Sequence, residues 1–480
     1  MNIFNKIICG FIVLIYNFST AQVKKPNFVI VIADDHGVFH STPYGSTIIE
    51  TPNMQKLADE GIRFDNAYIA SPACAPSRAA LFTGLMPYNN GIVGNHEKNL
   101  KPGVLSLIPN LIEQGYEVVF QGKVAHARNN QHKGYVPKAV KILKRAPTND
   151  QKLSVVDDFL KNRETTRPLA LFVGCTDTHT PYPPAGESRI KPEDVIINKR
   201  IYTTPEAQLE MSRYIQAAES IDTKLGNILK MSDIYLDKKN TMTVYTSDHG
   251  MAWPFAKWSL YETGIRTPLL ISWPGKIQPH TTTKAMVSWI DLLPTLIDIA
   301  DGTVPENIDG KPFTAVILGK KNKHRDAIYA THKGDNEKNV YPIRSVRVGK
   351  WKYIRNLHPE FAYTTHTDTW ATEVPMTKLH ANHAGRHWNS YLAAAKRDPA
   401  AVAFLIDYHT NPAEELYNIE KDPLEQNNLA DDPKCAKKLS TLREKVTQHM
   451  KEVKDDESLS GPPKLLKDFS IMKSKIKSTD

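Results

Sequence analysis

The chain has 480 residues, of which 41% are hydrophobic and 24% are charged. These proportions are typical of a folded globular protein, and they exclude a disordered chain, a collagen-like chain and a polytopic membrane protein. Because a single core usually stops growing near about 250 to 300 residues, we expect one large domain and one smaller domain. Much of the net charge of +9 lies in a lysine-rich tail at residues 464–477, so the charge predicts no nucleic-acid partner.

Residues 1–21 have the pattern of a secretory signal peptide. A positive charge at Lys6 precedes an apolar run at residues 7–18, and small residues lead to a predicted cleavage site after Ala21. The apolar run is too short to span a bilayer, although a retained anchor is the alternative interpretation. Cys9 lies inside this run rather than behind it, which argues against a lipoprotein anchor. We therefore expect the export machinery to deliver the mature chain to the periplasm with no stable membrane anchor.

Four segments predict strands of a parallel sheet, and the first of them is continuously apolar and β-branched, as in a strand that is buried on both faces. They are residues 28–33 (FVIVIA), 117–121 (EVVFQ), 169–175 (LALFVGC) and 241–247 (TMTVYTS). Helices are predicted at residues 51–61, 205–231 and 291–299. This alternation predicts the fold class: α/β, with a large, mostly parallel, doubly wound sheet covered by helices on both faces.

The pattern changes in the last third of the chain, where RSVRVGKWKYIRNL alternates around Gly349 like a β-hairpin. A terminal helix is predicted near residues 440–451. We therefore expect a large α/β domain at residues 22–340 and a smaller C-terminal subdomain at residues 341–480, which contains an antiparallel sheet and ends in the basic tail.

The segment CAPSRAALFTG at residues 74–84 has the sharpest functional pattern in the chain. Its early proline and the helix-forming residues that follow predict that Cys74 begins a helix, where backbone amides and the helix dipole favour an anion. After signal cleavage only Cys74, Cys175 and Cys435 remain, too few for a disulfide framework. A buried core cysteine is the alternative interpretation of Cys74, but its polar neighbours favour a functional one.

This segment resembles the C-x-P-S-R…L-x-T-G motif of the type I sulfatases, a family with the alkaline-phosphatase superfold. The resemblance runs from about Lys25 to Ala430, and the pattern is similar to the N-sulfoglucosamine sulfohydrolase branch and to bacterial polysaccharide sulfatases. It implies that a formylglycine-generating or an anaerobic sulfatase-maturating enzyme converts Cys74 to formylglycine (3-oxoalanine). It also implies hydrolysis of sulfate esters, with a sulfated saccharide as substrate.

Two pairs of polar residues follow predicted strands, Asp34–Asp35 and Asp248–His249. Carboxylate-rich sets of this kind favour Ca²⁺ or Mg²⁺, since zinc usually takes more nitrogen or sulfur ligands. For Asp34 and Asp35 alone, capping of a helix or turn is the alternative interpretation. The resemblance implies that all four residues, with modified Cys74, bind one Ca²⁺. Many members of the family have Asn where His249 stands.

Four further residues match motifs of the same family. Lys123 and His126 lie in a G-K-x-x-H motif, His179 lies in an H-x-P motif, and Lys257 lies upstream of a G-x-R-x-P motif. The resemblance implies that Lys123 steadies the hydrated formylglycine and the sulfate, and that His126 is the base that drives sulfate release. It implies that His179 and Lys257 hold sulfate oxygens, that one of them protonates the leaving oxygen, and that Arg78 orients the hydrate. The alternative interpretation of an isolated lysine or histidine is an exposed surface side chain without a functional role.

Several histidines outside these motifs are candidates for contact with the saccharide: His96, His380, His383 and His387. Incidental loop histidines are the alternative interpretation. The predicted reaction is therefore hydrolysis of sulfate esters on a polysaccharide or oligosaccharide, such as algal ulvan or a glycosaminoglycan. The alternatives are an N-sulfoglucosamine sulfohydrolase, a phosphatase or phosphonate hydrolase of the same superfold, and an inactive carbohydrate-binding relative.

Overall fold

The structure, a computed structural model, describes residues 24–97, 99–126, 136–144, 150–182, 190–195, 197–335, 339–368, 385 and 387–469. The predicted signal peptide and most of the basic tail lie outside these residues. None of the helices among the described residues is long and apolar enough to cross a membrane.

The larger sheet has eight strands among the described residues. They are β1 (Asn27–Ala33), β2 (Ile62–Tyr68), β3 (Glu117–Gly122), β4 (Lys141–Ile142), β5 (Leu169–Cys175), β6 (Thr241–Ser247), β7 (Leu269–Ser272) and β8 (Thr281–Ser288). Their order across the sheet is β4-β3-β5-β1-β6-β7-β2-β8. Only β7 runs against its neighbours, and the other neighbouring pairs are parallel. The predicted mostly parallel sheet is confirmed, and β1 lies near its centre.

Helices cover both faces of this sheet. In chain order the helices are α1 (Pro52–Asp59), α2 (Cys74–Thr83), α3 (Pro87–Asn90), α4 (Ile108–Glu113), α5 (Ser154–Lys161), α6 (Pro205–Tyr235), α7 (Glu262–Ile265), α8 (Leu292–Ile299), α9 (Thr314–Ile317), α10 (Trp388–Ala394), α11 (Pro399–His409) and α12 (Ala436–Glu452). The long helix α6 begins at an N-cap, Thr204, whose side chain accepts from the amide of Ala207. Further along, Asp222 accepts from the first amides of α1, which fixes the two helices side by side.

The central strand β1 shows why its segment is continuously apolar. Phe28, Ile30 and Ile32 contribute to the core on one face of the sheet, and the alternate residues Val29 and Val31 contribute to the core on the other. Every residue of β1 is buried. A strand covered on both faces needs apolar side chains at successive positions, as the sequence predicted.

The smaller sheet is antiparallel and has the order β12-β11-β10-β9. Its strands are β9 (Ile328–His332), β10 (Ile343–Val348), β11 (Trp351–Asn356) and β12 (Glu414–Asn418). The predicted hairpin is β10–β11, and Gly349 adopts the positive φ of 54° that its tight turn requires. Helix α12 packs on this sheet through Leu442 and Val446. The sheet begins at β9, before the predicted domain boundary at residue 340.

Candidate active site

The carboxyl ends of three central strands lie in register, and this brings distant parts of the chain together. The amide of Asp34, just after β1, donates to the carbonyl of Cys175 at the end of β5 (2.9 Å). On the other side of β1, the amide of Asp248 donates to the carbonyl of Ala33 (3.1 Å). Because open α/β sheets bind ligands at this edge, the residues that follow these strands are the natural candidates for a site.

Cys74 is the first residue of α2 and points into this edge, as the sequence predicted. Ala73 before it is extended, so the chain enters the helix sharply. The amide of Ala75 donates to the side chain of Asn95 (3.0 Å), and the hydroxyl of Ser77 donates to the carbonyl of Asp248 (2.7 Å). The first turn of α2 is therefore fixed against both the β6 end and the segment that contains Asn95.

Five basic side chains surround the sulfur of Cys74. His249 Nε2 lies 3.2 Å from Sγ, and the ammonium groups of Lys123 and Lys257 each lie 3.6 Å from it. His126 and His179 also hydrogen-bond to the sulfur. Burial alone would raise the pKa of the Cys74 thiol, but the positive charges of Lys123, Lys257 and His249 hold it well below its usual value. The pocket therefore favours negative charge at residue 74.

Three carboxylates, those of Asp34, Asp35 and Asp248, lie beside the sulfur and are fully buried. Arg78 bridges two of them, with Nη2 3.0 Å from Asp34 Oδ1 and 2.9 Å from Asp248 Oδ2. Lys123 Nζ lies 2.6 Å from Asp34 Oδ2, and Lys257 Nζ lies 2.9 Å from both oxygens of Asp35. Burial opposes the ionisation of Asp34, but Lys123, His179 and Arg78 lower its pKa well below the usual value.

The same carboxylates form a cluster suited to a metal ion. One ligand atom each from Asp35, Cys74, Asp248 and His249 lies within 4.8 Å of the others, and Asp34 groups with Asp35 and His179 in the same way. His249 Nδ1 donates to the carbonyl of Gly250 (2.9 Å), so Nε2 is the nitrogen that faces the cluster and would bind a metal ion. Burial raises the pKa of Asp248 to about 7, and the neighbouring Asp34 charge adds to it. A divalent cation would relieve this repulsion, and the oxygen-rich donor set fits Ca²⁺ or Mg²⁺.

Tyr214 on α6 supports the carboxylate cluster, although no sequence motif pointed to it. Its hydroxyl accepts from the amide of Gly37 (2.9 Å) and donates to the carbonyl of Asp35 (3.4 Å). Asp35 has a φ of 66°, a conformation that is uncommon for residues other than glycine. Next to it, the ring of His36 is held by the hydroxyl of Tyr245 (2.7 Å). Side chains of α6 and β6 thus hold the loop after β1 in place.

The candidate saccharide contacts differ in their exposure to solvent. His96 has 56% of its side chain exposed and contacts Asp335. His387 is 2% exposed and stacks on Trp253, with ring centroids 4.2 Å apart. His380 and His383 lie outside the described residues. His387 therefore occupies a packed position, and contact of these histidines with a saccharide stays a prediction.

A nucleophilic residue at a helix N-terminus, enclosed by lysines, histidines and a carboxylate cluster, is the arrangement of a hydrolase that acts on an anionic ester. Comparison with known proteins agrees with this class. The profile of the sulfatase family matches residues 26–303. A second profile, the C-terminal region of N-sulphoglucosamine sulphohydrolase, matches residues 248–371.

Three known proteins illustrate the similarity. An ulvan-active sulfatase of Formosa agariphila is 30% identical over 90% of this chain and 80% of its own length. The N-sulphoglucosamine sulphohydrolase of Homo sapiens is 25% identical over 90% of this chain and 91% of its own length. A solved structure of a 2-O glycosaminoglycan sulfatase is 22% identical and superimposes with a TM-score of 0.67, covering 91% of this chain and 95% of that one.

The chain belongs to the sulfatase family. It is therefore a sulfuric ester hydrolase, and the resemblance inferred from the sequence motifs is confirmed. The predicted fold class is confirmed as well, since the solved relative shares the fold over nearly the whole chain.

Proposed function

We propose that the protein hydrolyses sulfate esters on a sulfated polysaccharide or oligosaccharide, with Cys74 oxidised to formylglycine and with bound Ca²⁺. The observation that carries the proposal is the convergence of basic side chains and buried carboxylates on residue 74. A sulfate group entering this pocket would bring its negative oxygens to the ammonium groups of Lys123 and Lys257. Its sulfur would then face residue 74 at the N-terminus of α2.

The chemistry requires more than a cysteine at this position. As a hydrate, formylglycine supplies one hydroxyl that attacks sulfur and a second hydroxyl whose deprotonation releases sulfate. His126, which hydrogen-bonds to the residue 74 side chain, is the proposed base that takes this proton. Arg78 is held at both ends by Asp34 and Asp248, so it orients the site rather than reacting.

The leaving oxygen of the saccharide needs a proton donor, and His179 and Lys257 are the candidates. Burial lowers the pKa of His179, but the charges of Asp35 and Asp34 outweigh it and raise that pKa above its usual value. Lys257 is held charged by Asp35. The neighbouring carboxylates therefore favour the protonated form of both groups, and either can hold a sulfate oxygen.

Asp34, Asp35, Asp248 and His249 are the residues that would hold Ca²⁺. The ion, when bound, polarises the sulfate group and stabilises negative charge on oxygen. The preference for calcium over zinc follows from the donor set, which has three carboxylates and a single imidazole.

The substrate class is proposed from the relatives and from the predicted export of the chain. Relatives of the chain include an ulvan-active sulfatase, an N-acetylglucosamine-6-O-sulfatase and an N-acetylgalactosamine-6-O-sulfatase. A periplasmic or secreted enzyme would meet such polysaccharides outside the cytoplasm. The proposed role is therefore sulfate removal during polysaccharide degradation.

The modification is tested on the tryptic peptide from Phe64 to Arg78. In active protein from a host with the maturation system, we expect Cys74 to carry an aldehyde, detected by mass spectrometry and by reaction with a carbonyl reagent. Cys175 is the matched control because it is also buried, and burial raises the pKa of its thiol to about 12. Fully active protein that contains only the Cys74 thiol would contradict the proposal.

Cleavage of an N-sulfate is the second candidate activity. The C-terminal N-sulphoglucosamine sulphohydrolase profile at residues 248–371 favours it. A panel of defined sulfated oligosaccharides, with O-sulfates and glucosamine N-sulfates compared at equal concentration, distinguishes the two activities. We expect O-sulfates to be hydrolysed faster. Failure to release sulfate from any member would favour an inactive carbohydrate-binding protein.

A further inference from the structure

A chain of polar contacts next to the active site is not used by the reaction described above. Asp335, which is 2% exposed, contacts Nδ1 of His96 through one carboxylate oxygen. Its other oxygen lies 3.5 Å from Nε2 of His366. The side-chain amide Nδ2 of Asn339 donates to Nδ1 of His366 (3.1 Å). This amide leaves the His366 proton on Nε2, facing Asp335. The buried residues His366 and Asn339 thus hold the Asp335 carboxylate in place.

The contact with Asp335 determines the orientation of the His96 ring. Because Asp335 accepts from Nδ1–H, the ring of His96 is held in one orientation and Nε2 is left as its free edge. The His96 side chain is 56% exposed. A buried carboxylate that orients an exposed imidazole is unusual for a surface ion pair, because exposed pairs between long side chains are rarely held in one geometry.

Both ends of the contact chain adjoin the reacting centre. His96 follows Asn95, whose side chain accepts from the amide of Ala75 (3.0 Å), the residue after Cys74. At the other end, the ring of His366 stacks on Trp258 with centroids 4.9 Å apart. The same Trp258 ring lies 5.0 Å from the ammonium of Lys257. The contacts that position His96 therefore begin and end beside residues of the sulfate pocket, next to which the sugar that carries the sulfate would have to sit.

We propose that His96, positioned by Asp335, binds a hydroxyl group of the sugar ring that carries the scissile sulfate. The proposal rests on the proposed function, since it concerns recognition of the saccharide at the same site. A hydroxyl fits Nε2 in either protonation state, because it can donate to the neutral imidazole and accept from the charged one. A carboxylate or a second sulfate can only accept, so it would bind only the charged form. His96 is a binding residue, and Asp335 is a positioning residue.

The test compares two substrates with the full-length mature enzyme. They are 4-nitrophenyl sulfate and the most rapidly hydrolysed member of a panel of defined sulfated disaccharides. For His96→Ala we expect KM for the disaccharide to rise by about tenfold or more, with a smaller change in kcat. For 4-nitrophenyl sulfate, which has no sugar hydroxyl, kcat/KM should change by less than about threefold. Asp335→Asn should shift the disaccharide KM in the same direction.

A matched control is His280→Ala. His280 is an exposed histidine that also contacts an aspartate, Asp59, at 3.5 Å, but it precedes β8 at the opposite end of the sheet. His280→Ala should leave KM and kcat for both substrates unchanged. A disaccharide analogue in which the hydroxyl beside the sulfate is replaced by hydrogen should lose affinity for the parent enzyme, but not for His96→Ala.

The outcomes separate the inference from the proposed function. If the parent enzyme hydrolyses neither substrate, the proposed function fails. If the parent is active and His96→Ala slows both substrates equally, or neither, the hydroxyl contact is wrong. His96→Ala removes only an exposed side chain, so the test stands even if Asp335→Asn does not fold.

Discussion

Arg78 supplies a positive charge to two of the buried carboxylates in the site, Asp34 and Asp248. Its guanidinium contacts Asp34 and Asp248 and also donates to the carbonyls of Lys123 and Val124. The side chain is fully buried. A bidentate, delocalised cation suits this position better than an ammonium, because it satisfies several acceptors at once.

We expect Arg78→Ala to lower the free energy of unfolding by about 3 to 5 kcal/mol, since it leaves two buried carboxylates without their cation. Urea unfolding followed by circular dichroism measures the change. Arg443→Ala is the control: Arg443 pairs with Glu414 at the surface, so its loss should cost about 1 kcal/mol or less. Equal losses in the two variants would show that Arg78 is not the main counter-charge.

Removal of divalent metal should lower the rate of sulfate release by about 100-fold or more, because the polarising cation is lost. Added Ca²⁺ should restore activity better than Zn²⁺. Asp248→Ala should reproduce the metal-free enzyme, and added calcium should not rescue it. Full activity in chelator, with no metal found by elemental analysis, would rule out a metal-dependent reaction.

At the scale of secondary structure, a side chain of the distant helix α6 hydrogen-bonds to the loop after β1 and holds it in place. Tyr214 bridges the amide of Gly37 and the carbonyl of Asp35. These groups are 177 residues or more from Tyr214 in sequence. The helix therefore determines where the positive-φ Asp35 presents its carboxylate.

Tyr214→Phe should weaken Ca²⁺ binding several-fold, as measured by calorimetric titration, because it frees the loop that carries Asp35. It should also cost about 1 to 3 kcal/mol of stability by leaving the Gly37 amide without its acceptor. Tyr44→Phe is a matched control, because the Tyr44 hydroxyl likewise accepts from a backbone amide, that of Leu269, and donates to a carbonyl, that of Phe64. It should lose comparable stability with unchanged calcium affinity. The same calcium affinity in all three proteins would refute the role of Tyr214.

Asp368 ties the segment after β11 to helix α11 and should make stability depend on pH. It accepts from the hydroxyl of Tyr408 (3.0 Å), and burial raises its pKa to about 7. The folded protein thus holds this proton more tightly than the unfolded chain, whose aspartate has its usual pKa near 4. Its contribution is present below about pH 4 and is lost as the pH rises to about 7.

Urea unfolding of the parent protein and of Asp368→Asn between pH 4 and 7 tests this effect. The parent should lose stability relative to the variant as the pH rises, by up to about 1.4 kcal/mol for each unit crossed. The difference between the two proteins removes the contributions of other titrating groups. Parallel curves would show that Asp368 is ionised throughout this range.

The sequence predicted the central strands of the larger sheet and missed β2 and β8, whose burial is mixed. Strands β1, β3, β5 and β6 were found because their interior positions are buried throughout and mostly apolar. Strand β2 reads IRFDNAY and β8 reads TTTKAMVS, with exposed or half-buried polar residues among buried ones. Such strands lie near the edge of the sheet. Their patterns match neither a fully buried strand nor a regular alternation.

The same limit applies to the site. Cys74, the carboxylates and the basic residues around them follow strand ends or motifs, so local patterns indicated them. Asn95 and Tyr214 act through contacts formed only when separate elements meet. No periodicity or spacing marks them in advance. Asp335 is missed for the same reason, since its partners His96 and His366 come from different parts of the chain.

At the scale of the whole molecule, a buried ionic network joins the two sheets. Glu262 of α7 lies 2.6 Å from Arg347 of β10 and 3.3 Å from Lys352 of β11. Lys352 also lies 3.0 Å from Glu425. The side chains of Glu262 and Lys352 are fully enclosed, so their charges depend on each other.

Lys352→Met should destabilise the protein by about 3 to 5 kcal/mol, because two buried glutamates lose a shared cation. Adding Glu425→Gln should recover part of that loss, and the double-mutant cycle gives the coupling. Thermal unfolding measures both. Losses that simply add in the double variant would show that Lys352 and Glu425 do not interact.

The burial of α2 also determines when Cys74 can be oxidised. Every residue of this helix is buried, and Cys74 is 2% exposed. A modifying enzyme has to take the thiol into its own active site, which only a chain that has not yet folded allows. The proposed oxidation of Cys74 therefore requires a chain that has not yet folded. We expect protein that folds before it is oxidised to keep its thiol, and we expect no activation when the maturation enzyme is added afterwards.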